Sequence, residues 1–358
     1  MARDGVNDKP PAPRISVVVV AYESGPMLAD CLAAVRAQTV RDLELILIDN
    51  ASKDGAARVA AAQANDLVFV PNSENLGFAK AVNQGARLAR GRWLVLLNPD
   101  AFAEPDWLAA LLAASEAFPE QRCFASRQLK ADDPGRLDGM GDVMSAAGFG
   151  FRGGYNQPDP GLTEPAYVFS ACGGAMMIDR ELFLEMGGFD ERLFCYCEDV
   201  DLGYRLQLRG IRTLLVPKAT VRHVGSASTG GPRSDFAAFH GTRNRLWIYL
   251  KNTPPLLLAL TWPLHLLATA LLFSRHVAHG EMAAPWRGFK AALGGLPIAM
   301  AARREAQAGR KVGSLGIARE LCWSPRSLVR RLIVLKPARP SRGSTTEVTP
   351  PPIRSAGA

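Results

Sequence analysis

Residues 15–21, Ile-Ser-Val-Val-Val-Val-Ala, form a run of mostly β-branched apolar side chains with no sustained polar alternation. A strand covered on both faces can bury such a run, and strands of that kind belong to sheets layered between helices. The residues that follow repeat the theme. Leu28, Cys31, Leu32 and Val35 predict a helix over 27–38, a second buried strand covers 43–48, and the Ala-rich 53–63 predicts another helix. A third strand is expected at 67–70, a third helix at 79–89 and a fourth strand at 93–97. This alternation implies an α/β fold with a mostly parallel central sheet of right-handed βαβ units flanked by helices. Ligands of such sheets bind at the carboxyl ends of the strands, which directs attention to four short segments.

After the first strand stand Ala21, Tyr22, Glu23 and Ser24, and after the second Asp49, Asn50, Ala51 and Ser52. A ring and a carboxylate at neighbouring tips can hold a nucleobase, although Asp49 and Asn50 can equally cap the next helix. The third tip contains Asn75 and Gly77 before a helix that carries Lys80 one turn in. A polar, Gly-containing turn opening a helix offers free N–H groups and a dipole to a diphosphate, though such turns precede many helices. The fourth tip is Asn98-Pro99-Asp100. A lone carboxylate there suits Mg²⁺ or Mn²⁺, which take one or two protein carboxylates plus phosphate oxygens; an ordinary Asn-Pro-Asp turn is the alternative.

Farther on, 128–165 is rich in Gly, Asp and Pro and reads as long loops. Short strands are expected at 167–170 and 174–178, a helix at 179–186, a helix at 199–208 and a strand at 213–216. Gly173 and Gly174 permit close backbone approach to a ligand or a tight turn. Glu198, Asp199 and Asp201 put three carboxylates within four residues. A helix dipole accounts comfortably for one or two of them and less well for three.

Together VVVVAYES, LIDNAS, NLGFAKAVNQG and LNPD resemble the family 2 glycosyltransferases of GT-A fold, and within them the rhamnosyltransferase-like bacterial branch. The likeness runs from about residue 15 to 252. It implies transfer of a sugar from a nucleotide-diphosphate donor, with rhamnose from dTDP-rhamnose as first choice and UDP-sugars behind it. It implies that Ala21, Tyr22, Glu23 and Asp49 line the nucleoside pocket, with Asn75, Gly77, Lys80 and Asn98 also on the donor side and Lys80 near the diphosphate. Asp100 then binds a divalent cation, Mg²⁺ or Mn²⁺, with His223 completing the site. The usual pair of metal-binding aspartates is reduced here to Asn98-Pro99-Asp100, one acidic ligand instead of two. The likeness makes Asp199, beside Glu198, the general base of an inverting displacement. It sets Gly173, Gly174, Phe189, Asp190 and Asp201 by the donor sugar or acceptor, and Arg243 near the donor phosphates. A dinucleotide dehydrogenase would need GxGxxG after the first strand, and a nucleotidyltransferase a Gly-rich basic loop; neither is present.

The expected organisation is a leader over 1–13, a catalytic unit over 14–252 divided at residue 100 into nucleotide and acceptor halves, an apolar and basic helical segment over 253–339, and a disordered tail from 340. Charge is divided unevenly: residues 1–240 hold 24 Lys/Arg against 30 Asp/Glu, and 241–358 hold 18 against four. The basic third therefore faces something anionic, and the apolar run 256–273 favours a lipid surface over nucleic acid. That run lies at the lower limit for a span, and 291–302 could make a re-entrant return. Ordinary packing against the catalytic unit is the other reading. Six cysteines in 358 residues are too sparse for a disulfide framework, and the first 14 residues have no apolar signal region. The expected place of work is the cytoplasmic face of a membrane, on a saccharide or lipid-linked saccharide acceptor.

Overall fold

The computed structural model describes residues 12–225 and 234–338. Most of the expected leader and the whole expected tail lie outside the described residues. The chain opens with β1 (Ile15–Ala21), α1 (Met27–Arg36), β2 (Leu43–Asp49), α2 (Ala56–Ala62), β3 (Leu67–Pro71), α3 (Phe78–Leu88) and β4 (Trp93–Leu97). β3, β2, β1 and β4 lie side by side and parallel. Side chains alternate through this layer. Val17, Val19, Leu45, Leu47 and Val95 pack against α1, whereas Val18, Val20, Ile46, Ile48 and Leu96 pack against α3. Burial on both faces is what the unbroken apolar runs require, and each fully buried Val, Leu or Ile contributes roughly 1.5–3 kcal/mol. α2 begins later than expected because Gly55, at φ 74°, turns the chain immediately before it.

The middle of the chain gives β5 (Ala101–Ala103), α4 (Trp107–Ala117), β6 (Cys123–Lys130), β7 (Leu137–Met140), β8 (Asp142–Met144), β9 (Gly150–Arg152), β10 (Ala166–Val168), β11 (Ala175–Asp179), α5 (Arg180–Glu185), α6 (Glu198–Leu208) and β12 (Thr213–His223). The stretch expected as long loops is thus partly strand: β6 runs three residues into it, β7, β8 and β9 lie inside it, and Asp138 and Asp142 are buried there. β11 runs antiparallel between β4 and β6, so the sheet is mixed beyond its parallel half. β12 is far longer than the four residues expected. It continues through Pro217 by an irregularity between Val216 and Thr220, and places His223 opposite Ala101.

The last part holds α7 (Asp235–Asn252), α8 (Pro255–Ala278), α9 (Ala283–Gly294), α10 (Leu296–Ala308), α11 (Ser314–Glu320), α12 (Pro325–Arg330) and β13 (Lys336–Pro337). The apolar stretch expected as a re-entrant return is split between α9 and α10 at Gly295, where an added Cβ would lie 2.1 Å from Trp247. Both helices pack on α7. α8 is long and apolar enough to cross a membrane. It nevertheless rests one side, through Leu257, Thr261 and His265, on the catalytic unit. β13 pairs with β10, so the C-terminal segment rejoins the sheet.

Gly85 in the middle of α3 shows how tightly this layer is built. A Cβ there would lie 2.5 Å from Cγ1 of Val18. Gly85→Ala gains about 1 kcal/mol of helix propensity but adds overpacking that costs about 1–3 kcal/mol. A net loss of stability is expected in urea unfolding; a more stable variant would show that α3 can slide off β1.

Candidate active site

The parallel registers Val19↔Leu97 and Ala21↔Asp49 align the carboxyl ends of β1, β2 and β4 at one edge. β11 approaches β4 from the opposite direction, and Asn98 N–H donates to the Gly174 carbonyl at 2.9 Å. Between them opens a cleft of about 590 Å³. Tyr22, Asn75, Gly77, Asn98 and Asp100 line it on one side, and Gly173, Gly174, Glu198 and Asp199 on the other. Nine residues from separate segments are thereby brought to one wall-to-wall space.

At its base Asp100 faces His223. Nε2 of the imidazole lies 3.1 Å from Asp100 Oδ1, and Nδ1 lies 2.7 Å from Asp138 Oδ2. The Asn98 amide nitrogen is 3.2 Å from the same Nε2. Gly174 leaves room for this pair, since a Cβ there would come within 3.1 Å of the Asn98 amide. Burial lowers the His223 pKa, but hydrogen bonds and charge from Asp100 and Asp138 outweigh it and raise it to about 9. The donor set fits a hard divalent cation. One carboxylate and one imidazole converge, a cation would take the place of the Nε2 proton that Asp100 holds there, and the second ring nitrogen is held by a further carboxylate, as metal-binding histidines usually are. His223 is itself buried, 1% exposed, beneath the cleft.

On the opposite wall Asp199 Oδ2 accepts the Gly173 N–H at 2.9 Å. Glu198 and Asp142 are buried beside it, and each keeps one oxygen without a hydrogen-bond partner. Burial, followed by the charge of Asp199, raises both Glu198 and Asp142 well above the usual carboxyl range and favours their neutral forms. Asp142 borders the cleft and was not anticipated, because it sits in the segment expected as loops.

The backbone leading into α6 is strained. Phe194, Tyr196 and Cys197 have φ of 65°, 69° and 69° without being glycine. Such residues cost on the order of 1–3 kcal/mol each and need outside support. Asn244 supplies it. Its buried Nδ2 reaches the carbonyls of Leu193, Cys195 and Tyr196 at 2.9, 2.9 and 2.8 Å. Arg243 adds a bond to the Leu193 carbonyl at 2.8 Å. Arg243 is therefore a clamp on this loop and does not border the cleft, contrary to its expected place near the donor phosphates. The N-terminus of α3 is likewise taken. Ala79 N–H donates to the Phe194 carbonyl at 3.1 Å, and glycine is required at position 77 because a Cβ would strike the Phe194 ring at 2.5 Å.

Other expected site residues also lie elsewhere. Ala21 is buried at the end of β1, and Lys80 is exposed on α3; neither borders the cleft. Asp49 Oδ1 accepts the Ser52 N–H at 2.9 Å and Glu23 Oε1 the Lys53 N–H at 2.9 Å, so these acids shape their own turns. Phe189 is a core ring, 5.4 Å from Phe183 and 6.1 Å from Phe78. Asp190 and Asp201 are structural. Lys251 Nζ lies 2.6 Å from Asp190 and 2.9 Å from Asp201, with Arg205 and Asn252 completing the shell at 2.8 Å each. The reason is helical: residues two apart point roughly 200° apart, so Asp199 faces the cleft while Asp201 faces the core.

Lys251→Met leaves buried carboxylates without their cation and should cost about 3–5 kcal/mol in urea unfolding. Asp190 and Asp201 are both pulled below the usual carboxylate range, against burial, by Lys251 together with the neighbouring arginines. Their folded-state values are depressed, so the stabilisation is full above the unfolded pKa of about 4 and fades as pH falls below it. The variant should lose the part of that acid-dependent slope that Lys251 supplies, since Arg192 and Arg205 keep their contacts. Asn244→Ala should lower stability by about 1–3 kcal/mol and reduce turnover more than donor affinity; unchanged turnover would detach the loop from the chemistry.

Residues 16–187 match the model of Glycosyl transferase family 2. Over 254 residues the chain is 33% identical to an N-acetylglucosaminyl-diphospho-decaprenol L-rhamnosyltransferase of Mycobacterium tuberculosis, covering 63% of this chain and 81% of that protein. Two solved structures share the fold at 21% identity. One is the GDP-mannose- and Mn²⁺-bound mannosyltransferase of Pyrobaculum calidifontis, with TM-score 0.50 over 86% of this chain and 79% of that one. The other is a GalNAc-T7 with UDP, GalNAc and Mn²⁺, with TM-score 0.53 over 67% and 50%. The parallel strand tips, the Asp100–His223 pair and the Glu198-Asp199 helix start thus sit in a chain that belongs to the family 2 glycosyltransferases and is a glycosyltransferase.

Proposed function

We propose that this enzyme inverts the anomeric centre while moving a sugar from a nucleotide-diphosphate donor, dTDP-rhamnose in the first instance, to a lipid-linked saccharide in cell-surface polysaccharide synthesis. The observation that carries the reading is the Asp199 carboxylate, held by the Gly173 N–H in the same cleft that has Asp100 at its base. Rhamnose and the lipid-linked acceptor are favoured by the mycobacterial relative, whose name states both.

In this mechanism Tyr22 and Asn50 flank the nucleoside. Asp100 and His223 would hold a divalent cation, Mg²⁺ or Mn²⁺, which when bound neutralises charge on the departing diphosphate. Asp138 orients His223 through Nδ1. Asp199 takes the proton of the acceptor hydroxyl as that oxygen attacks the anomeric carbon from the face opposite the leaving group. Single displacement of this kind inverts the configuration. Glu198 and Asp142, drawn to their neutral forms, leave Asp199 as the acceptor of that proton and can donate hydrogen bonds to the incoming sugar. The reading puts the enzyme on the cytoplasmic face of a membrane; contact with lipid is supported by α8, whose outward stripe exposes Leu256, Leu260, Leu264, Leu267 and Leu271.

The test is a panel of dTDP-, UDP- and GDP-sugars with purified protein, reading nucleotide-diphosphate release with Mn²⁺, Mg²⁺ or EDTA. Asp199→Asn should reduce kcat by about 10²–10⁴ with donor affinity retained. A folded variant with undiminished transfer would remove Asp199 as the base, and retention of anomeric configuration in the product would overturn single displacement.

A further inference from the structure

Arg245 on α7 differs from the other partly buried arginines near the cleft. Arg152 pairs with Asp138, Arg192 with Asp190 and Arg205 with Asp201. Among the described residues no carboxylate pairs with Arg245, and its buried Nε has no hydrogen-bond partner. Its guanidinium carbon lies 4.4 Å over the ring of Phe149. A desolvated cation without a counter-charge is costly, and an anion arriving from outside relieves that cost.

The position of this cation matters. Phe149 directly precedes Gly150, Phe151 and Arg152, which line the cleft. A Cβ on Gly150 would lie 3.1 Å from Val200, the neighbour of Asp199. On its other side Phe149 is 5.8 Å from His265 of α8. Arg245 therefore stands between the Asp199 end of the cleft and the long apolar helix. Two imidazoles on α8 feel this charge. Burial lowers the pKa of His265 to about 4 and lowers His276, with the charge of Arg245 adding to both. Arg275 acts in the same sense on His276 and on Arg331, whose guanidinium lies 5.0 Å over Tyr155. Outward from this group runs the α8 leucine stripe, with Leu260 69% and Leu271 62% exposed. From Leu256 to Leu271 it extends for about 22 Å at 1.5 Å per residue.

A base at one end, an unmatched cationic group in the middle and an apolar ridge leading away reproduce the order of a sugar, a diphosphate and a long hydrocarbon. We propose that Arg245, with Arg275 farther along α8, binds the diphosphate of a polyprenyl-diphosphate-linked acceptor. Its sugar reaches Asp199 past the Phe149–Gly150 backbone, and its chain leaves along the leucines of α8. This rests on the lipid-linked acceptor proposed above and assigns the residues that select it.

The experiment has a binding arm that needs no transfer. The full chain is titrated calorimetrically with farnesyl diphosphate, farnesol and inorganic pyrophosphate, and sedimented with phosphatidylglycerol vesicles. Arg245→Gln should weaken farnesyl diphosphate at least tenfold while farnesol is unchanged. Arg275→Gln, on the exposed side of α8, should weaken it in the same direction and serves if the first variant unfolds. The site is overturned if both folded variants bind farnesyl diphosphate normally, or if vesicle binding falls as much as farnesyl diphosphate binding. It is also overturned if pyrophosphate alone binds as tightly as the farnesyl ester. The transfer arm compares kcat/KM on a polyprenyl-diphosphate sugar with that on the same sugar as a neutral octyl glycoside; Arg245→Gln should reduce this ratio at least tenfold, and an equal loss on both acceptors would sink the proposal. Farnesyl diphosphate binding that depends on Arg245, in a protein that transfers to no lipid-linked sugar, would instead overturn the acceptor reading and leave the anion site standing.

Discussion

The geometry of the cleft wall that carries Asp199 depends on one buried amide. Asn244 on α7 draws together the carbonyls of a turn in which three side-chain-bearing residues occupy left-handed backbone. Without that anchor the turn would relax toward cheaper conformations. The turn places Phe194 over the start of α3 and sets Glu198 and Asp199 at the start of α6. α7 is thus part of the catalytic framework although it comes after the last long strand. The strain is concentrated where the site needs a carboxylate held against solvent.

Acidic residues divide into two populations with different physics. Asp190 and Asp201 are surrounded by Lys251, Arg192 and Arg205, and their charges are matched inside the core. Glu198 and Asp142 are buried with no ion pair among the described residues, and although Arg152 opposes it at Asp142, the neutral form is their response. Asp100 lies between these extremes, opposed by an imidazole that is itself backed by Asp138. The same residue type is therefore ion-paired scaffold in one place, neutral cleft lining in another and the partner of an imidazole in a third, according to what stands within about 3 Å.

The C-terminal helices are more than an appendage. α9 and α10 brace α7, β13 closes an edge of the sheet, and α8 presents a leucine stripe outward while His265 stacks 4.2 Å from Tyr249 inward. Of the two expected readings, ordinary packing is seen on one face of this helix. Its inner face is packed, and its outer face is apolar and open.

The parallel half of the sheet was legible because burial on both faces leaves an unbroken apolar run and the intervening helices keep a 3.6-residue period. The strand tips followed, since a parallel sheet puts every carboxyl end on one edge, and Tyr22, Asn75, Gly77, Asn98 and Asp100 do share a cleft. Asp142 and β7–β9 were not legible: three- and four-residue strands with buried polar groups carry no period. Nor could local sequence say that Asp199 and Asp201 face opposite ways in function, that Gly77 is kept for Phe194, or that Arg243 and Asn244 serve a turn some fifty residues earlier. Sequence alone determined the layers and the edge on which ligands bind, because hydrophobic periodicity is a local property. Which polar groups meet across that edge was decided only by the tertiary structure, because hydrogen bonds and ion pairs act within about 3 Å in space whatever separates the partners along the chain.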